Sequence, residues 1–232
     1  MIAFLSSCNV FGEEQFPKEK IKNVKVIELR PTRLMEFNDF VQRDLEMKET
    51  NFWSTINSLT NLEKFNLTTI ASSTLNNSSS YKSANLCDGK AETAWVEGVK
   101  GSGIGEWVKI SIDAFSSLAE FTITPFSLSE IAVLPGYAKT GKTWKENNRV
   151  KKLLVVAHSP VPARPGKEWT VYRLSLRDEA KMQVFEIPSS EMNVNLKGMK
   201  KDIWIKIEEV YQGEKYDDTC ISEFVAFGAF SS

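Results

Sequence analysis

The chain has 232 residues, 42% of them hydrophobic and 25% charged, with a formal net charge of −1. That balance is ordinary for a folded globular protein, argues against whole-chain disorder, and creates no global field to draw the chain to nucleic acid or acidic lipid. No apolar run approaches the roughly 20 residues of a membrane-spanning helix, and a single histidine, His158, excludes chemistry built on paired histidines or a histidine-rich metal site.

The length suits one domain of about 150 residues plus an N-terminal extension. Met1 to Cys8 is a short apolar run closing on Leu5-Ser6-Ser7-Cys8. This resembles a bacterial lipobox, in which the chain is cut before the cysteine and a lipid is attached to it; small residues at the cut follow the general secretory pattern. The basic and longer apolar stretches of a full signal peptide are missing here, so an ordinary cysteine near a fraying terminus is the other reading. With Cys8 as the anchor, residues 9–20, rich in Glu, Lys and Pro, read as a polar tether. The expected location is then a bacterial cell envelope, on the outer membrane or cell surface. Cys87 and Cys220 remain as an even pair, which in an exported protein invites a disulfide; two buried thiols are the alternative.

Residues 21–29 predict a β-branched strand. Thr32 reads as the N-cap of a helix carrying Leu34, Phe37, Val41 and Leu45 on one stripe. Residues 49–68 are ambiguous, and Ser72 to Ser83, rich in Ser and Asn, reads as a loop. Beyond it the pattern becomes period-two. Val108, Ile110 and Ile112 alternate with Lys109, Ser111 and Asp113; Phe121 and Ile123 with Thr122 and Thr124. Tyr172, Leu174 and Leu176 alternate with Arg173 and Ser175; Ile203, Ile205 and Ile207 with Trp204, Lys206 and Glu208; and Val225 and Phe227 flank Ala226. Gly- and Pro-bearing segments separate these runs. Many short strands without long helices between them predict a mainly β, antiparallel sandwich or barrel.

Residues 85–95 (Asn-Leu-Cys-Asp-Gly-Lys-Ala-Glu-Thr-Ala-Trp) resemble the opening motif of discoidin domains, also called coagulation factor 5/8 type C domains or family 32 carbohydrate-binding modules. The likeness is closer to the branch found as the translocation domain of streptococcal NAD glycohydrolase. Its blocks appear here in order: Trp95-Val-Glu97-Gly98, Gly103-Ile-Gly105-Glu106-Trp107, Gly136-Tyr137, Asn147-Asn148-Arg149-Val150-Lys151 and Asp218-Thr219-Cys220-Ile221-Ser222-Glu223. The resemblance covers residues 69–230 and leaves 21–68 as an extension. It implies an eight-stranded, discoidin-like (galactose-binding-like) jelly-roll β-sandwich with binding loops at one end and no catalytic residues.

The resemblance also implies candidate sites. Asp88, Thr93 and Glu223 are the candidate metal ligands, because a tight Asp-Gly turn plus a glutamate from the last strand can present the six to eight oxygens that calcium takes. Lys90 and Ala91 depart from the residues of calcium-binding relatives, Lys90 could instead put its ammonium near Asp88 or Glu223, and a metal-free Asx-turn is the other reading. Tyr137, Trp144, Asn148, Arg149 and Trp169 are the candidate ligand-binding residues: aromatic faces stack on sugar rings and planar amide and guanidinium groups suit hydroxyls. Asn148 and Arg149 could equally pin loops through backbone carbonyls. The expected partner is a glycan or a host or envelope protein, with no role in nucleic-acid binding.

Two further motifs carry less. Gly136 to Thr143 satisfies G-x-x-x-x-G-K-T, but a phosphate cradle needs a helix after it; Asn147-Asn148 is a poor helix start and Val150 to Val156 reads as a strand. Gly101 to Gly105 is half of a dinucleotide fingerprint but leads into a strand. His158 has no G-x-S-x-G serine to serve and reads as a loop or packing residue.

Overall fold

The computed structural model describes residues 14–49, 53–55, 66–113, 126–158, 168–191 and 201–230. In chain order these form α1 (Lys18–Ile21), β1 (Val26–Leu29), β2 (Arg33–Met35), α2 (Phe37–Glu49), β3 (Trp53–Thr55) and β4 (Asn66–Ala71). Three 3-10 turns lie between Leu75 and Cys87. There follow β5 (Trp95–Val96), β6 (Trp107–Asp113), β7 (Phe126–Pro135), α3 (Gly141–Glu146), β8 (Asn148–His158), β9 (Trp169–Ser175), β10 (Met182–Glu186), β11 (Lys201–Tyr211) and β12 (Thr219–Phe230).

The strands make two layers. One runs β4–β6–β11–β8–β9–β1, and the other runs β2–β10–β7–β12, with β3 and β5 also paired to β12. The layers join at one corner, where Asn148 and Arg149 of β8 run parallel to Thr219 and Cys220 of β12. Side chains at every second position meet between them: Val108 and Ile110, Leu153 and Val155, Ile203, Ile205 and Ile207 from one layer, and Ile131, Val133, Phe185, Phe224 and Ala226 from the other. Burying this shared face, at about 25 cal/mol per Å² of apolar area, is the main force closing the sandwich.

The outer faces are also covered. Leu154, Val156, Val171 and Trp204 lie under Phe16, Ile21, Val24 and Val26. Ala132, Leu134, Val184, Val225 and Phe227 lie under α2, where Phe40 is fully buried and meets the Phe227 ring edge-on at 5.5 Å. Strands covered on both sides have no polar face to show, which explains the continuous apolar runs of β7, β8 and β12.

The N-terminal extension is therefore woven into the sandwich. It adds β1, parallel to β9, β2 on β10 and β3 on β12. With the two-residue β5 set aside as well, eight strands remain. The strand expected over 21–29 shortens to Val26–Leu29, since α1 and a turn take up the residues before it. Thr32 is not a helix cap: its backbone N–H and Oγ1 both donate to the Val184 carbonyl, drawing Arg33–Met35 into a strand on the β10 edge. The helix starts at Phe37 instead, and Phe40, off the expected stripe, becomes its buried anchor. Glu130 of β7 fixes the arrangement by accepting from both Arg33 and Arg43 at 2.5 Å.

The segment after Gly136 differs from expectation too. A helix, α3, does form there, because the Thr140 and Thr143 side chains and backbones make a reciprocal capping box. It has six residues, ends before Asn147, and follows a strand of an antiparallel layer. The strand expected around Phe121, the Pro160–Gly166 segment and Cys8 with residues 9–13 lie outside the described residues.

Candidate ligand-binding rim and buried carboxylates

Strand directions gather several loops at one end of the sandwich. Residues 136–147 join β7 to β8, 176–181 join β9 to β10, and 212–218 join β11 to β12; residues 97–106 lead into β6, and the 72–94 turns follow β4. The registers Tyr211↔Arg149, Lys152↔Ser175, Glu223↔Leu134 and Ala71↔Val108 put all of them at that end.

Tyr137 is half-buried there and meets Tyr81 edge-on, with ring centroids 6.4 Å apart. Both rings and Leu75 pack on buried Ala94, Val96 and Cys220, which leaves a partly exposed aromatic surface on a rigid base. Burial, reinforced by Tyr81 and Cys220, raises the Tyr137 pKa and keeps its hydroxyl a donor. Trp144 is also partly exposed. Its indole N–H donates to the Pro135 carbonyl at 2.9 Å, and its face lies 4.7 Å from the Arg149 guanidinium. Gly136 permits this packing: it sits at φ +79°, and a Cβ there would fall 2.8 Å from the Trp144 ring.

Asn148 and Arg149, for which ligand contact and loop-pinning are both open from the sequence, are both buried. Asn148 is fully enclosed; its Nδ2 donates to the Asp217 carbonyl and its Oδ1 accepts from the Gly213 N–H, both at 2.6 Å. Arg149 holds Asp178 in a two-point fork at 2.9 and 3.0 Å and donates through Nη1 to the Gln212 and Asn147 carbonyls. Every strong donor of the two is thus spent pinning the rim loops, so this pair shapes the surface from below. Trp169 is misplaced by the sequence reading. It stacks on His158, centroids 4.2 Å apart, at the far end of β8, about 30 Å from Asn148 at 3.3 Å per residue.

Two carboxylates are buried behind the rim. Glu97 accepts from the Val99 N–H at 2.8 Å and the Thr219 N–H at 3.1 Å, and Thr219 Oγ1 donates to the Ser102 carbonyl at 2.7 Å. Its pKa is raised, mainly by burial, against the lowering effect of those two N–H groups. Glu223 is fully enclosed. Its Oε1 accepts from the Lys90 N–H at 2.8 Å, while Oε2 is buried with no partner. Burial, and next the Asp88 carboxylate, push its pKa well above the ordinary range.

Asp88 Oδ1 accepts from the Lys90 N–H and from Thr93 Oγ1, which also lies 3.1 Å from the Lys90 carbonyl. Asp88, Thr93 and Glu223 are therefore brought together. The Lys90 side chain is exposed and pairs with neither carboxylate among the described residues. Two facing carboxyls with one orphan oxygen need either a proton or a cation between them; among the described residues no group of three or more His, Cys, Asp or Glu side chains gathers there, so any cation would rest on these two carboxylates, the Thr93 hydroxyl and backbone carbonyls.

Of the two readings for Cys87 and Cys220, the structure has two buried thiols and no bridge between them. Cys87 Sγ donates to the Phe224 carbonyl and Cys220 Sγ to the Asp218 carbonyl, in two separate apolar clusters. Several polar groups of the Gly136–Thr143 segment are engaged: Gly136 N–H donates to the Cys220 carbonyl, Thr143 Oγ1 lies against the Tyr137 and Thr140 carbonyls, and Lys142 pairs with Glu146 at 3.9 Å. Tyr81 and Glu97 were missed by the sequence reading. An aromatic inside a Ser/Asn-rich loop was the available signal for Tyr81.

Two apolar-cored layers with a loop-built rim define a discoidin-like β-sandwich. The sequence matches the NAD glycohydrolase translocation F5/8 type C domain over residues 60–228. The chain belongs to that family. Among curated proteins none matches it in sequence. A structure of the CBM32-1, CBM32-2 and M60 catalytic domains of Clostridium perfringens ZmpB is similar at TM-score 0.51 and 9% identity, covering 89% of this chain and 17% of that one. The two CBM32 domains of the same protein in complex with GalNAc give 0.49 and 9%, covering 90% and 42%. The C-terminal domain of a Bacteroides fragilis chitobiase gives 0.42 and 13%, covering 73% and 96%.

Proposed function

We propose that the protein is a non-catalytic binding module that recognises a glycan at the Tyr81–Tyr137 rim. The observation that carries this is a pair of partly exposed aromatic rings on a packed base at the loop end of a discoidin-like sandwich. Aromatic faces of that kind stack on the apolar face of a sugar ring. Membership of the F5/8 type C family and the fold shared with CBM32 domains support it. A glycan array probed with the full chain and with Tyr137→Ala tests it: binding by the first and loss in the second is expected, and no saccharide bound by the full chain would refute it.

Calcium is proposed as a structural cofactor held by Asp88, Glu223, Thr93 Oγ1 and the Lys90 carbonyl. It would supply the positive charge that the orphan Glu223 oxygen lacks, and would stiffen the 88–93 turn behind the rim. Display at a bacterial cell envelope through a lipid on Cys8 is proposed from the sequence, as above.

A protein partner is a second reading, favoured by Val99 and Ile104, which are 39% and 58% exposed on the same loop. Two exposed apolar side chains on one loop can seat against an apolar patch of a protein surface. Val99→Ser/Ile104→Ser, which leaves Tyr137 untouched, separates the two in a binding assay.

A further inference from the structure

We infer that the glycan is acidic, with its carboxylate or sulfate held by Lys82 and Lys139 beside the Tyr81–Tyr137 pair; this rests on the glycan reading above. The two segments that supply the rings, residues 72–94 and 136–147, carry five lysines (Lys82, Lys90, Lys139, Lys142 and Lys145) and three acidic residues (Asp88, Glu92 and Glu146), so they hold a net charge of +2 on a chain whose total is −1. Glu146 is already shared, lying 3.9 Å from Lys142 and 4.0 Å from Lys215, and Asp88 is held by Thr93 and the Lys90 N–H. Lys82 follows Tyr81 directly and Lys139 lies two residues after Tyr137. Both are exposed and make no ion pair among the described residues.

The carboxylates behind the rings do not cancel this charge at the surface. Glu97 and Glu223 are fully enclosed. The acidic side of this end is the 212–218 loop, where Glu214 and Asp217 are exposed and Asp218 acts on Glu97. The exposed charges that neighbour the rings along the chain are therefore the basic Lys82 and Lys139, while the acidic 212–218 loop lies against the last residues of α3, where the Glu214 and Lys215 N–H groups donate to the Lys145 and Glu146 carbonyls. A ligand stacked there meets unpaired ammonium groups, and an anionic group on the sugar ring is the chemistry that satisfies them.

Titration calorimetry on the full chain would use a hyaluronan hexasaccharide (carboxylate only), a heparin hexasaccharide (carboxylate and sulfate), neutral chitohexaose, free GalNAc, and vesicles containing anionic phospholipid. One or both acidic saccharides should bind, the pair separating carboxylate from sulfate, with affinity falling as salt rises from about 0.05 to about 0.3 M. Lys82→Ala/Lys139→Ala should lower that affinity on the order of tenfold, as two exposed ion pairs allow, with no change in melting temperature. Tyr137→Ala, or Tyr81→Ala if the first fails to fold, should abolish binding. Binding of chitohexaose or GalNAc without the acidic saccharides would overturn the acidic ligand and leave the glycan reading standing. Acidic saccharides binding equally to the tyrosine variants would show diffuse charge attraction and overturn the inference. Binding to vesicles with no saccharide bound would overturn both.

Discussion

Glu97 and Gly103 are in contact across the base of the 98–105 loop: a methyl group added to Gly103 would lie 2.8 Å from Glu97 Oε1, and closer to its carboxylate carbon. Gly103 also sits at φ +62°, in the left-handed region that side chains avoid. Gly103→Ala should therefore cost about 2–4 kcal/mol, from backbone strain and overlap together. Urea unfolding checks this. Gly101→Ala, at φ +101° but facing open space, should cost less, and equal losses would show that the contact with Glu97 is unimportant.

The buried carboxyls predict an unusual pH response. Glu97 and Glu223 hold their protons more tightly folded than unfolded. Their contribution to stability is then fully present below the ordinary carboxylate value near 4.5 and is lost as pH rises through the higher folded values. In a chelator, melting temperature should fall as pH climbs through that window, and Glu223→Gln should flatten the fall. Calcium favours the ionised form, so its stabilising shift should grow with pH and vanish in Asp88→Ala. A wild-type protein whose melting point ignores calcium at neutral pH would remove the metal from consideration.

Arg149→Lys keeps the charge but loses the planar fork on Asp178 and two of the carbonyl bonds. A loss of about 1–2 kcal/mol is expected from the lost hydrogen bonds to the loop carbonyls, with hydrogen exchange accelerating first in residues 212–218. Weakened ligand binding with unchanged stability and exchange would instead make Arg149 a contact residue.

Neither Cys87 nor Cys220 should react with iodoacetamide in the folded protein. Both are buried, and burial raises the Cys220 thiol pKa far above its ordinary value. In denaturant without reductant both peptides should be alkylated. Mass spectrometry reads the result, and protection that persists in denaturant would reveal a bridge.

Much of the sandwich is legible in side-chain alternation. Trp107–Asp113 is a strand over the same residues that alternate, the run at 203–208 sits within β11, and the run at 172–176 lies in β9 but for Leu176, just past its end. This works because those strands show the core one set of apolar residues and put mostly polar residues opposite. Alternation is silent where pairing is decided from afar. Arg33–Met35 is helix-like in pattern but becomes a strand because the β10 edge, 150 residues away in sequence, offers the Val184 carbonyl. The rim was legible by residue type alone. Tyr137 and Arg149 both lie in or beside a polar stretch of sequence, yet one is partly exposed and the other is spent on five oxygen acceptors contributed by four other residues. Such a division depends on which carbonyls converge, and no local spacing encodes it.

The wrapping of both outer faces by residues before β4 has a practical side. An expressed fragment beginning near residue 60, where the family match starts, would strip away Phe16, Ile21 and Val24 from above Trp204, and Phe40 from above Phe227. Two greasy surfaces would then face solvent on opposite sides of one small body, a recipe for inclusion bodies during production. A cut made before Glu14 retains both covers.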